Sequence, residues 1–290
     1  MPERTIGHRG ITPTRLLAVY LLATTPLIVM GGVTDGSAVW MVGHLAVLTG
    51  VCLLEWRARG GELAGGWEVV RSWIPLMVVP LLYGELPHLM EGVWTGYHDP
   101  AIQGIERVLF GGQPSAELAG MVPWVGLSEV LHAAYLAYYP IIYVPPLFLF
   151  LKGRRADFHA SVTAVIATFI ACYVVFIFFP VQGPRYIWVP EGIPQGPVRS
   201  LVLTVLEGGS SRGAAFPSSH VAVAVAQTRV MLRVMPGVGR LLAGVTVALA
   251  LGAIYGGFHY AFDAVIGAMV GVAVVAALDP SSPGPEDEGR

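Results

Sequence analysis

Long apolar runs, broken by short polar or basic joints, set the rhythm of this chain. Eight stretches stand out, at about residues 16–33, 38–54, 71–90, 122–150, 158–180, 217–235, 239–258 and 261–278. A helix needs roughly 20 mostly apolar residues to cross a bilayer's hydrocarbon core. A backbone in lipid must satisfy its own hydrogen bonds, which favours helices over open sheets. The pattern therefore predicts an all-α polytopic integral membrane bundle of about eight transmembrane helices. The first run follows Arg4, Arg9 and Arg15, as the apolar part of a signal peptide would. No small-residue cleavage site follows it, so it reads as a retained anchor.

The joints carry a second pattern. With the N-terminus cytoplasmic, the inner joints hold Arg4, Arg9, Arg15, then Arg57, Arg59, Arg71, then Lys152, Arg154, Arg155, then Arg229, Arg233, Arg240. The outer joints hold only Arg107, Arg185, Arg199 and Arg212, and Arg290 lies on the inner tail. That bias predicts that both termini are cytoplasmic. Three segments follow: N-terminal helices over 1–157, a helical core over 158–278, and an acidic, Pro-rich tail over 279–290 that reads as disordered. Trp40, Trp73, Trp94, Trp124 and Trp188 read as interface anchors. Two outer loops are long, 91–121 and 181–216. The first contains "DPAIQGIERVLFGG", whose Ile102, Ile105, Leu109 and Phe110 suit either a helix lying along the membrane surface or an ordinary amphipathic connector.

Composition supports the membrane reading. The chain of 290 residues is 54% hydrophobic and only 12% charged, against about 25% charged in a soluble domain. A net charge of -2 gives no case for nucleic acid as a partner. Cys52 and Cys172 both lie in apolar runs, which predicts neither a disulfide nor a thiolate metal site.

The topology brings distant chemistry to one boundary. The fifth run ends just before Arg185. The sixth starts at Pro217 and carries Ser218, Ser219 and His220 in its first turn, and the seventh ends at "YGGFHYAFD", with His259 and Asp263. These residue types suit phosphoryl transfer. Proline at the first helical position costs no hydrogen bond, and the helix N-terminus is an anion site that serine hydroxyls can extend. An arginine grips two phosphate oxygens. Of two histidines, one attacks phosphorus and the other handles the proton of the leaving oxygen. Asp263, four residues after His259, suits orientation of that ring. Each piece also has a plain structural reading: capping for Pro-Ser-Ser, an i,i+4 pair for His259 and Asp263, lipid anchoring for Arg185.

A rival constellation is present. Glu85 with His88, and Glu129 with His132, are both Glu-x-x-His pairs in the outer halves of their runs. Two such pairs plus further glutamates, for which Glu91 and Glu106 are candidates, build di-metal sites in helix bundles. They would make the protein a metal-dependent oxidase or metal transporter. Pro87 inside the first pair argues against it. Alternatively Glu129, His132 and Tyr135, on one helix face, line a head-group cavity or form a packing seam.

The residues "GPR", "FPSSH" and "HYAFD" resemble the three motifs of the type 2 phosphatidic acid phosphatase superfamily, over roughly residues 158–278. Those motifs are Lys-x6-Arg-Pro, Pro-Ser-Gly-His and Ser-Arg-x5-His-x3-Asp. Here Phe178 stands at the first motif's lysine, Ala253 at the third motif's arginine, Tyr186 at the proline and Ser219 at the glycine. This looser pattern, with "LFGGQPS" and "SEVLHAAYLAYYP" upstream, is similar to the inositol phosphorylceramide synthase branch, whose members move a phospho-alcohol head group between lipids. The resemblance implies a lipid phosphatase or phosphotransferase that needs no metal or other cofactor and has its site at the outer face. His259 would be the nucleophile, His220 the acid and then base, and Asp263 the orienting group. Arg185, Ser218 and Ser219 would hold phosphoryl oxygens, with Arg212 as substitute for a missing cation. A polyprenyl mono- or diphosphate is the alternative substrate.

Overall fold

The computed structural model describes residues 12–31, 37–61, 65–93, 96–188 and 192–279. Arg4, Arg9, Trp94, Arg290 and the tail from residue 280 lie outside the described residues. The N-terminal half holds α1 (Pro13–Met30), α2 (Ser37–Arg59), α3 (Gly66–Met77), α4 (Val79–Glu91), α5 (Asp99–Phe110), α6 (Pro114–Met121), α7 (Val125–Leu136) and α8 (Tyr138–Leu151). There follow α9 (Arg155–Phe178), the single turn α10 (Pro184–Ile187), α11 (Pro197–Gly209), α12 (Ser219–Val234), α13 (Pro236–Tyr255) and α14 (Ala261–Ala277). Among the described residues there is no strand, only a bridge between Val181 and Ala214.

By length and apolarity, α1, α2, α9 and α13 can each cross a membrane, and the pairs α3–α4 and α7–α8 can do so as bent units, at 44° and 46°. That makes four spans, or six with the bent pairs, where the sequence pattern suggested eight. The two bends share a cause. Pro80 and Pro140 have no amide to bond with the carbonyl four residues back, so the helix breaks just ahead of each. The shortfall at α12 has another cause. Pro217 lies outside the helix, Ser218 is its N-cap, and the helix itself has 16 residues. Sixteen residues rise about 24 Å, short of the ~30 Å hydrocarbon core. It also buries Gln227, which exchanges hydrogen bonds with Ser161 of α9. α14, apolar but for Asp263 in its first turn, has 17 residues.

α12 is the centre of the bundle, packed against α8, α9, α13 and α14. Glycine sets how close α14 comes. A Cβ on Gly267 would meet the Ser218 carbonyl oxygen at 2.4 Å, and one on Gly271 the Ala222 oxygen at 2.3 Å. Small residues at a helix crossing let two backbones touch, and here they lock the start of α12 against α14. α1 and α4 pack on α9 through one large apolar core.

The basic joints gather at one end. Glu55 of α2 accepts from Arg15 Nε at 3.1 Å, from Arg71 Nη2 at 2.8 Å and from the Thr14 hydroxyl. Arg154 pairs with Asp157 at 2.6 Å and donates to the Val234 carbonyl at 3.2 Å, while Arg233 pairs with Asp279 at 2.7 Å. α9 runs from this end to the opposite one, where the candidate chemistry lies.

α5 is more than a surface helix or a connector. Ile102 is buried against Val181, Ala215 and Tyr260, while Ile105, Leu109 and Phe110 remain exposed. Its two carboxylates, Asp99 and Glu106, are fully or almost fully buried and bond to the loops described next.

Candidate active site

His259 sits in the turn between α13 and α14. The Ala253 carbonyl accepts the amides of Phe258 and His259 at 2.9 and 3.1 Å, which fixes the backbone there. The His259 Nδ1 donates to the Ala215 carbonyl at 3.0 Å. A carbonyl can only accept, so Nδ1 carries the proton and Nε2 keeps its lone pair. That Nε2 lies 3.4 Å from Nδ1 of His220.

His220 is the second residue of α12. Its ring stacks on Tyr135, with centroids 4.9 Å apart, and meets Tyr138 at 4.1 Å. Its Nε2 lies 3.3 Å from the Tyr135 hydroxyl. One set of protons satisfies the whole chain. Tyr135 donates to His220 Nε2, His220 Nδ1 donates to His259 Nε2, and His259 Nδ1 donates to Ala215. The lone pair of His259 is thus aimed at the ring of His220, which is confined between two tyrosines.

Asp263 does not orient His259 by helical spacing. α14 starts at Ala261 with Tyr260 as N-cap, so His259 stands outside the helix. The Asp263 Oδ2 accepts the Tyr260 amide at 2.9 Å and lies 3.6 Å from His259 Nδ1, farther than the Ala215 carbonyl. It adds a charge beside the ring, and its main-chain oxygen accepts the Ser218 amide at 3.0 Å.

Arg185 lies in the single turn α10, and its Nη1 is buried with no hydrogen-bond partner among the described residues. Burying a guanidinium nitrogen without an acceptor is costly, so this atom has room and need for an anion. Arg185, Gln182, Tyr135, Ser210, His220 and His259 line a pocket of about 30 Å³. The turn bearing Arg185 is held from α5. Asp99 accepts the amides of Gln182 and Gly183 at 2.9 and 3.0 Å and the Tyr260 hydroxyl at 3.1 Å. Gly183 has φ +89°, and a Cβ there would meet Ala215 at 3.0 Å, so only glycine fits. Glu106 accepts the Phe262 amide at 3.0 Å. Burial pushes its carboxyl above the usual range, and the amides of Phe262 and Ala261 pull it partly back.

Other expected positions fall elsewhere. The Ser218 hydroxyl accepts the Val221 amide at 3.4 Å, and neither Ser218 nor Ser219 lines the pocket. Pro217 precedes the N-cap, so the role of first helical residue falls to Ser219. Arg212 stands at the exposed rim, donating to Gln182 at 2.6 Å and lying over the rings of Tyr97 and Tyr186. Glu129 is a cap. It accepts the amides of Val198 and Arg199 at 2.8 and 3.1 Å at the start of α11. His132 is buried against Tyr255 and Phe258, its Nδ1 on the Ser128 carbonyl at 2.6 Å. Only Tyr135 of that trio reaches the pocket.

The di-metal constellation is not assembled. Glu85 bonds to His44 of α2 at 3.0 Å, His88 lies 3.8 Å from Glu91, and Glu129 caps α11. Among the described residues no three His, Cys, Asp or Glu groups converge to hold a metal ion. α4 also continues through Pro87. At the two positions where the standard motifs place cations, Phe178 points outward and Ala253 is buried against Tyr135, Val202 and Phe258.

Residues 102–277, more than half of the chain, match the family model described as PAP2 superfamily. The match begins within α5, upstream of the 158–278 segment that the motifs alone outline, and it does not single out a branch. No curated protein matches the chain, and no solved structure does.

Proposed function

The chain belongs to the PAP2 superfamily, and from that premise we propose a membrane-bound phosphatase or phosphotransferase that acts on a lipid-linked phosphate ester through a phosphohistidine. Membership points to phosphatase-type activity, and the apolar helices make this an integral membrane protein. The observation that carries the finer reading is the His259–His220 contact, with the proton of His259 fixed on Ala215 and its lone pair facing His220.

Phosphate enters the small pocket, its oxygens bonded to Arg185. The 3.4 Å contact between the two rings opens to admit it. His259 Nε2 attacks phosphorus, forming the P–N bond as the P–O bond to the lipid alcohol breaks. His220, which takes up a second proton as the anionic phosphate enters beside it, gives a proton to that leaving oxygen. Proton transfer of this kind is worth roughly 10²–10⁴-fold. His220 then takes a proton from the incoming water or alcohol, whose oxygen attacks phosphorus and returns the electron pair to Nε2. The Asp263 carboxylate stabilises the positive charge that His259 gains. Ser218 and Ser219 contribute through the α12 N-terminus, whose first-turn amides and dipole favour an anion. Arg212 attracts anions at the rim.

The reading extends to topology. α12 and α14, with the bent pairs, complete eight crossings. The basic end around Glu55 and Arg154 faces the cytoplasm with both termini, and the His220–His259 end faces outward. Residues 158–278 form the catalytic core and 1–157 the supporting helices.

The test is product analysis with chelator present. Phosphatidic acid, a polyprenyl phosphate and phosphatidylinositol are offered to protein in lipid-detergent micelles, each with and without an alcohol acceptor. Free phosphate is expected if water is the acceptor, and a new phosphodiester if an alcohol is. Loss of all turnover in chelator would contradict the metal-free route.

A further inference from the structure

A second, larger cavity of about 530 Å³ adjoins the phosphate pocket. It follows the two proline-bent pairs, between Val79–Pro87 of α4 and Tyr138–Tyr143 of α8, with Trp40 and Tyr173 behind. Tyr83, Leu206, Ser210, Ser211 and His220 line both spaces. His259 and Arg185 face only the small pocket. His220 is therefore the one imidazole shared by the two spaces, and whatever leaves across it leaves into the larger one.

The lining defines what fits there. Among the described residues it is aromatic and aliphatic, with five tyrosines and no lysine or arginine. The carboxylate among these described residues is Glu207, at an exposed position. The Tyr173 hydroxyl is fully buried and has no partner. An apolar chain would gain from such a lining, and an ester or hydroxyl oxygen near its head would satisfy Tyr173. A second phosphate would find no cation and would face Glu207.

Building on the function proposed above, we infer that this cavity holds the alcohol side of the substrate, and that the protein takes a single phosphate esterified to an uncharged, long-chain alcohol and discriminates against diphosphates. When the P–O bond breaks, the neutral alcohol carries the His220 proton into this cavity, and phosphorus stays on His259. A diphosphate would have to expel a phosphate anion into the same uncompensated space.

Butyl, octyl and dodecyl phosphate, with farnesyl phosphate and farnesyl diphosphate, test this at submicellar concentration. kcat/KM should rise at least about tenfold from butyl to octyl, since each buried methylene is worth up to about fourfold. Farnesyl phosphate should exceed the diphosphate at least about tenfold. Ile142→Trp, which fills the cavity, should lower the octyl-to-butyl ratio. Glu207→Arg, at an exposed site with little risk to folding, should narrow the gap between mono- and diphosphate. Butyl phosphate turned over as well as octyl, or the diphosphate as well as the monophosphate, overturns the inference and leaves the functional reading standing. Absence of turnover on every ester, together with no phosphohistidine, overturns both.

Discussion

His259→Ala is expected to lower kcat/KM by at least about 10⁴-fold, the scale of losses when a nucleophile is removed from a unit that acts together. The pocket's other imidazole has both nitrogens engaged. Tyr135 donates to His220, and His220 Nδ1 donates to His259 itself. The substitution also leaves the buried Ala215 carbonyl without this donor, a cost of about 1–3 kcal/mol, against a usual stability of about 5–15 kcal/mol, so the protein should remain folded. Activity and thermal unfolding measured together separate the two effects. A variant that keeps a tenth of native kcat/KM would exclude His259 as the nucleophile.

The second large effect is expected well away from the nucleophile. Asp99 does not line the pocket of His220 and His259, yet it accepts both amides of the Gln182–Gly183 turn that leads into Arg185. It also holds the Tyr260 hydroxyl, which accepts from Gln103 at 3.0 Å. Asp99→Ala removes these bonds and leaves two buried amides without an acceptor, at about 1–3 kcal/mol each. Arg185 then loses its fixed position, and a displacement of about 1 Å can cost 10²-fold in rate. The readout that separates positioning from folding is the inhibition constant of inorganic phosphate. It should weaken together with kcat/KM in both Asp99→Ala and Arg185→Ala, and the double variant should be little worse than Arg185→Ala. Additive losses in the double variant would mean that Asp99 does not act through Arg185.

These two residues also mark what sequence could and could not disclose. His220 and His259 were legible because each sits beside a local signature at the end of an apolar run, and run order alone puts both ends on one side. The helices themselves were legible from apolar length, except where proline bent a span or, as in α12, a cap shortened it. Asp99 was not legible in this role. Its partners lie 83, 84 and 161 positions away, and two of them are backbone amides. A main-chain carbonyl such as that of Ala215 leaves no trace in side-chain pattern either. Spacing gives Asp263 the orienting role, whereas the nearest acceptor of His259 is that carbonyl. In the sequence Glu129 suits a cavity or metal site, because a carboxylate within a span suggests function. Its chemistry is spent on the first amides of α11.

The most direct measurement is the phosphoenzyme itself. Protein mixed with a labelled phosphate monoester is quenched in alkali within the first turnover, digested, and its phosphate located by mass spectrometry. A base-stable, acid-labile phosphate on His259, absent from His259→Ala and longer-lived in His220→Ala, is the result this mechanism requires. Rapid turnover with no phosphate on His259 at any quench time would contradict it and place water, rather than an imidazole, at phosphorus in the first step.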